Sequence, residues 1–242
     1  MIVCFTVDYE PDCPPWMTST FRGVEEATAP LLAMLREEGA RATFFSTGVV
    51  AERYPDAVRA VVGAGHELGC HGHTHRRFTE LGAAEARDEI VTSAAALRRH
   101  AAVTSFRAPN LVFPEAYVGL LAEAGFTLDS SDAKYKAAYW RRRAPARASL
   151  RRVPASATSS VLRLPRPLRE AYLARLASPV VLFVHPWEFV DLRRTELRLD
   201  CRFATGETAL RRVRASLRFL AARGARFVPM NELPSNEWMR NE

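Results

Sequence analysis

Three histidines occupy alternate positions of the pentapeptide His71-Gly72-His73-Thr74-His75, half of the six in a chain of 242 residues. Imidazoles grouped this closely are suited to binding a divalent metal. In a helical turn His71 and His75 share a face; on an extended segment all three do. The plainer reading is a polar surface loop or an idle His-rich tract. The context favours a metal. Gly65-His66-Glu67-Leu68-Gly69-Cys70 reads as a short strand leading into a loop, and strand-end loops are where a scaffold displays chemistry. Cys70, next to the cluster, is a further candidate ligand.

Other chemically able groups also follow apolar runs: Asp8 with Glu10 and Asp12, then Arg107, then His185. Singly each has a bland reading, as a solvated acid, a surface charge or a satisfied core histidine. Their shared position after strands is what matters, because the C-terminal ends of strands in a parallel β/α barrel form one rim. The elements that must position them alternate accordingly. Strands are expected at 2–7, 42–45, 65–70, 103–106, 126–128, 179–185 and 226–229. Helices are expected at 24–38, 55–62, 83–100, 114–124 and, after Gly206, 207–223. Residues 134–178, rich in Arg, Ala, Ser and Pro, break this rhythm and read as irregular excursions over the mouth of the barrel. No repeat or internal boundary is evident, so residues 1–242 are expected to form a single domain.

Several ordered segments resemble the metal-dependent polysaccharide deacetylases, carbohydrate esterase family four, also called the nodulation-type deacetylase domain. Phe5-Thr6-Val7-Asp8-Tyr9-Glu10 is similar to the family's first motif. The stretch from Gly65 to His75 resembles its metal motif, and Phe106-Arg107-Ala108-Pro109 its third. Leu128-Asp129-Ser130-Ser131 is a looser match to the fourth. Val184-His185-Pro186-Trp187-Glu188 resembles the last motif in the family's intracellular branch. The resemblance implies an α/β fold, a distorted (β/α) barrel of about seven parallel strands, and hydrolysis of an N-acetyl group. It implies that His71 and His75 bind a divalent metal with a carboxylate, zinc first, with cobalt or nickel as alternatives. Asp8 would be the general base, His185 the general acid, and Arg107 the partner orienting Asp8 through its bidentate fork. A backbone N–H near Asn110 would help hold the oxyanion, and Trp187 would offer an apolar face to the sugar or acetyl methyl.

This chain departs from the family in places. Tyr9 stands where a second aspartate is usual, so Glu10, facing the same way as Asp8 on an extended segment, is the expected ligand, with Asp12 in reserve and otherwise near substrate. Asn110 replaces an aromatic residue. His73 is an unusual middle residue, with a supporting or substrate contact expected.

Composition excludes other classes. The net charge of +7 comes almost wholly from arginine, since only Lys134 and Lys136 are lysines. Arg141-Arg142-Arg143 and Arg151-Arg152 could form an anion-binding patch, but no nucleic-acid-binding motif accompanies them and no such partner is expected. Cys4, Cys13, Cys70 and Cys201 lack paired spacing and read as buried free thiols, which suits a reducing compartment. No run is long enough to span a membrane, and the N-terminus does not read as a signal peptide. A cytoplasmic enzyme is therefore expected, acting on an N-acetylated sugar or glycosylated small molecule. Residues 9–22 and 134–170 would wall the cleft, with Trp16, Tyr135, Trp140 and Trp187 as apolar surfaces. The competing readings are hydrolysis of a cyclic amide or ureide on the same fold, and a non-catalytic carbohydrate-binding barrel.

Overall fold

Strand β1 (Ile2–Tyr9) is buried along its whole length because its two faces serve two cores. Val3, Phe5, Val7 and Tyr9 face a layer of helices. Ile2 and Cys4 face the other way, into an inner cluster with Phe45, Leu128, Val153, Val181 and Met230. This period of two carries Thr6, Asp8 and Glu10 up the inner face of the same strand. The computed structural model describes residues 1–141 and 150–234. Arg142 and Arg143 of the basic run lie outside them.

The remaining strands are β2 (Ala42–Ser46), β3 (Glu67–Cys70), β4 (Ser105–Phe106), β5 (Leu128–Asp129), β6 (Arg151–Arg152), β7 (Val180–Val184) and β8 (Arg226–Phe227). All pairings are parallel, in the order β6-β5-β4-β3-β2-β1-β7, and β8 pairs with the start of β1. The sheet curls until the chain after β6 meets β7. There Ser156 N–H donates to the Val181 carbonyl (2.8 Å), while Ser156 Oγ accepts the Val181 N–H (2.9 Å). The result is a distorted (β/α) barrel of seven strands in sequence around the sheet. Helices α1 (Arg22–Glu37), α2 (Gly48–Arg53), α3 (Pro55–Gly63), α4 (Ala83–Leu97) and α5 (Val118–Glu123) follow the early strands. Helices α6 (Ala137–Arg141), α7 (Ser159–Leu162), α8 (Arg166–Leu173), α9 (Leu199–Arg202) and α10 (Glu207–Ala222) complete the chain.

The described residues of 134–178 are more ordered than the composition of that stretch suggests. They supply β6 and α8, and β6 is a barrel strand. Nor do Arg151 and Arg152 form an open basic patch. Arg151 donates to the carbonyls of Leu233 and Met230, and Arg152 pairs with Asp129 and Glu115. The four cysteines are buried and free. No helix among the described residues is long and apolar enough to cross a membrane.

His66, just ahead of β3, is buried with Nδ1 accepting the Ala42 N–H (3.2 Å). Burial, with help from Arg41, pushes its pKa from 6.5 down to about 4. The unfolded chain therefore takes up this proton more readily between those values. The stabilisation is complete above about pH 6.5 and is lost as pH falls toward 4, by as much as ~3 kcal/mol. Urea midpoints measured across this range should fall less steeply for His66→Gln than for the parent protein.

Candidate active site

At the mouth of the barrel the β1 carboxylates meet the loop after β3. Glu10 Oε2 lies 2.6 Å from His75 Nε2 and 3.3 Å from His71 Nε2. One ligand atom from each of the three residues lies within 4.8 Å of the others, and among the described residues no other such group forms. His71 Nδ1 is occupied by the Arg107 carbonyl at 2.7 Å, so the ring donates there and its Nε2 lone pair faces Glu10. Two imidazoles and a carboxylate, with one ring fixed by a backbone oxygen, are the donors and support a zinc-type ion requires. Burial alone would raise the Glu10 carboxyl, but the charges of His75 and His185 and the contacts from His71 and His75 hold it well below the usual carboxylate range.

The loop is shaped from α4. Glu89 accepts the N–H groups of His73 (2.7 Å) and Thr74 (2.9 Å) and the Thr74 hydroxyl, while Ser93 Oγ donates to the Gly72 carbonyl (2.7 Å). Gly72 and His75 both adopt left-handed backbone (φ 76° and 65°). For His75, a non-glycine residue, this conformation is uncommon. Glu89→Ala should weaken metal binding by ~10–100-fold with all three ligands intact, the usual effect of losing a ligand's support. Metal titration of the two proteins would check it. His73 points away from the ligands. Its Nδ1 packs on Gly48, and its Nε2 lies 3.9 Å from Glu52. Cys70 also faces elsewhere, donating to Ser93 Oγ.

Beside the ligands, Arg107 holds Asp8. The guanidinium is fully buried, 4.3 Å over the Phe45 ring. Its fork is divided rather than bidentate on Asp8. Nη1 donates to Asp8 Oδ1 (2.6 Å) and Thr6 Oγ1 (2.7 Å), and Nη2 donates to Ser130 Oγ (3.0 Å). The other oxygen, Asp8 Oδ2, is left facing His185 Nε2 across 3.9 Å. Arg107 thus serves twice, its carbonyl fixing His71 and its side chain fixing Asp8.

His185 follows β7. Its Nδ1 lies 2.6 Å from Glu188 Oε1, and the ring stacks on Trp187 at 4.8 Å with an interplanar angle of 17°. Burial disfavours the imidazolium, but the carboxylates of Glu10, Glu188 and Asp8 outweigh it and raise the pKa to about 9. Trp187 is not an open platform. It is buried, packs with Cys13, Val190, Leu192 and Cys201, and donates its indole N–H to Glu10 Oε1 (3.1 Å). The backbone allows this because residue 23 is glycine. A Cβ there would lie 2.3 Å from the Trp187 nitrogen.

Asp12 is not available as a ligand or a substrate contact. Both its oxygens accept backbone N–H groups, of Arg22 and Gly23 at 2.8 Å each, capping the positive end of α1. Asn110 is exposed with φ 60°, and its carbonyl accepts from Lys136 Nζ. Asp129, in the looser fourth motif, accepts from Ser131 and Arg152. Of the expected apolar surfaces, Trp16 is 49 % exposed and stacks under Arg198, and Trp140 is 73 % exposed with its indole on the Lys134 carbonyl. Burial and the nearby Asp8 charge push the Tyr135 phenol up to about 12. Sequence reasoning missed Glu188, Glu89, Arg163 and the inward role of Trp187. Only Glu188 left a trace, as a carboxylate three residues past His185.

The sequence model described as polysaccharide deacetylase matches residues 2–128. A chitooligosaccharide deacetylase of Bradyrhizobium sp. is 31 % identical over 101 residues, 40 % of this chain and 46 % of that protein. A peptidoglycan-N-acetylglucosamine deacetylase of Bacillus cereus is 30 % identical over 89 residues, 37 % of this chain and 31 % of the relative. The chain thus aligns with less than half the length of these curated relatives. Among solved structures, a family 4 carbohydrate esterase from Streptomyces lividans, in complex with acetate, superposes with a TM-score of 0.64. It is 22 % identical, with 93 % of this chain and 91 % of that one covered. A pseudoenzyme of the same esterase family from Bacillus anthracis gives 0.65 at 16 % identity, covering 96 % and 64 %. At these identities the structural likeness speaks for the fold.

Proposed function

This chain belongs to the polysaccharide deacetylase family, and we propose that it removes the N-acetyl group of an amino sugar or a sugar-containing small molecule with the help of one divalent metal. The observation that carries the reading is the convergence of Glu10, His71 and His75 beside the Asp8–Arg107 pair, with His185 opposite. Glu10, His71 and His75 would hold the ion, which would supply Lewis acidity toward the acetyl carbonyl and a bound water. Zinc suits the donor set, and cobalt and nickel are compatible with it.

The chain's own groups supply the proton transfers. Asp8 Oδ2, left free while Oδ1 is pinned by Arg107, takes the proton of the attacking water. His185 Nε2 gives a proton to the departing amine nitrogen. The 3.9 Å between these two atoms supports this division, since it lets both reach one tetrahedral centre, Asp8 at the water-derived oxygen and His185 at the amine nitrogen. On this reading the segments bearing Trp16, Tyr135 and Trp140 would narrow the mouth and favour a short substrate, with aromatic faces against a sugar ring.

Acetate release at matched acetyl concentration from N-acetyl monosaccharides, N-acetylated glycosides and polymeric chitin tests this. Preference for the short substrates is expected. Preference for chitin would refute the size assignment and leave the chemistry standing. Turnover of cyclic amides or ureides instead would move the reaction to another C–N bond. Metal and sugar binding without turnover would mark a non-catalytic barrel.

A further inference from the structure

Glu188 lies in the turn Pro186–Phe189 and is completely buried. One of its oxygens holds His185 Nδ1 at 2.6 Å, and the other lies 3.1 Å from Arg163 Nε. Arg163, at the end of α7, is itself 1 % exposed. Its Nη groups donate to three carbonyls of one segment, Nη2 to Asp200 (2.7 Å), and Nη1 to Phe203 (2.8 Å) and Cys201 (3.4 Å), while the Nε–Oε2 contact is a charge pair outside hydrogen-bond geometry. A buried arginine whose donors are spent on backbone is fixed in place, so the carboxylate it pairs with is fixed as well.

We propose that Glu188, anchored by Arg163, is the positioning residue of the acid, gripping His185 at Nδ1 so that only Nε2 is presented to the leaving nitrogen. The assignment rests on the deacetylase reading of the site. The imidazole has two nitrogens, and the proton delivered to the leaving group must sit on the one facing the cleft. As the acid the ring is an imidazolium with a proton on each nitrogen, and a carboxylate on Nδ1 holds that proton, sets the ring angle and leaves the Nε2 proton for the leaving group. Stacking on Trp187 fixes the ring plane but tolerates the 180° flip about the Cβ–Cγ bond that keeps that plane, and Glu188 is the group that stops it. The alternative role for Glu188 is only to neutralise Arg163.

Leaving-group dependence separates the two roles. An amide nitrogen must be protonated to depart, whereas the phenolate of an aryl acetate leaves without help. Glu188→Gln should therefore lower kcat on an N-acetyl sugar by ~10²-fold, the scale of general-acid assistance, with KM changed little. Hydrolysis of 4-nitrophenyl acetate should stay within a few-fold of the parent. Glu188→Ala strands the charge of Arg163, so Glu188→Ala with Arg163→Met, which removes both charges, is the folding control and should show the same selectivity. Equal loss on amide and ester, or none on either, would overturn the proposal. A second readout does not need turnover. Nitrogen NMR of the parent should show a hydrogen-bonded proton on His185 Nδ1 that Glu188→Ala lacks. If that signal behaves as expected but the parent releases no acetate, the deacetylase reading fails and the positioning stands. If the signal is unchanged in Glu188→Ala, the positioning fails.

Discussion

Purified His75→Ala and His71→Ala proteins are expected to lose their divalent metal and to release acetate at least ~10³-fold more slowly than the parent, several kcal/mol of barrier being at stake in a metal-assisted hydrolysis. Each ring contributes one nitrogen to a three-donor set, and two donors at this separation are too few to retain a first-row ion against dialysis. The fold should survive either change, since both rings sit at the mouth, above the inner cluster that fills the barrel. Elemental analysis beside a thermal melt would check both halves of the statement. Full metal retention in both variants would remove these histidines from the ligand set.

Substituting the proton-transfer groups should have effects nearly as large. Asp8→Asn and His185→Ala are each expected to retain the metal and to lower turnover by ~10²–10⁴-fold. Stability should separate them. His185 can be truncated with a modest loss of packing. Asp8 neutralises a fully buried guanidinium, and removing its charge should cost ~3 kcal/mol or more. Asp8→Asn combined with Arg107→Met should recover much of that stability and none of the turnover. A melt and a metal assay on the same samples would settle the assignment, because loss of metal from Asp8→Asn would make Asp8 a ligand.

Much of this arrangement could be read from residue order. The apolar run Ile2 to Val7, leading into Asp8-Tyr9-Glu10, reads as a strand, and its alternation places Glu10 on the side of Asp8. The structure brings Glu10 to His71 and His75 on that logic. Asp12 continues the same alternation on paper, but the chain turns after Tyr9 and spends both its oxygens on α1, an arrangement set by a loop closure that no local pattern encodes. Strand β6 escaped notice because two arginines in an Ala- and Pro-rich stretch carry no period. They are in the sheet because neighbouring backbone, rather than their side chains, requires it. Trp187 looked like a sugar platform because exposed aromatics often are. Its indole turns inward because Glu10 Oε1 needs a donor and Gly23 leaves room for the backbone.

The site is also divided along the chain. Asp8, Glu10, His71, His75 and Arg107 all precede residue 128, whereas Arg163, His185, Trp187 and Glu188 follow it. The two groups meet at β1, which pairs with β2 on one side and β7 on the other. On the proposed reading, activation of water would belong to one stretch of chain and departure of the amine to another. A lineage could retune which amine is released by changing β7 and the turn beyond it, leaving the water-activating apparatus untouched. Trp187 is where that independence ends. One ring face rests on His185 while its N–H reaches Glu10, so a substitution there would be felt in both halves of the proposed reaction at once.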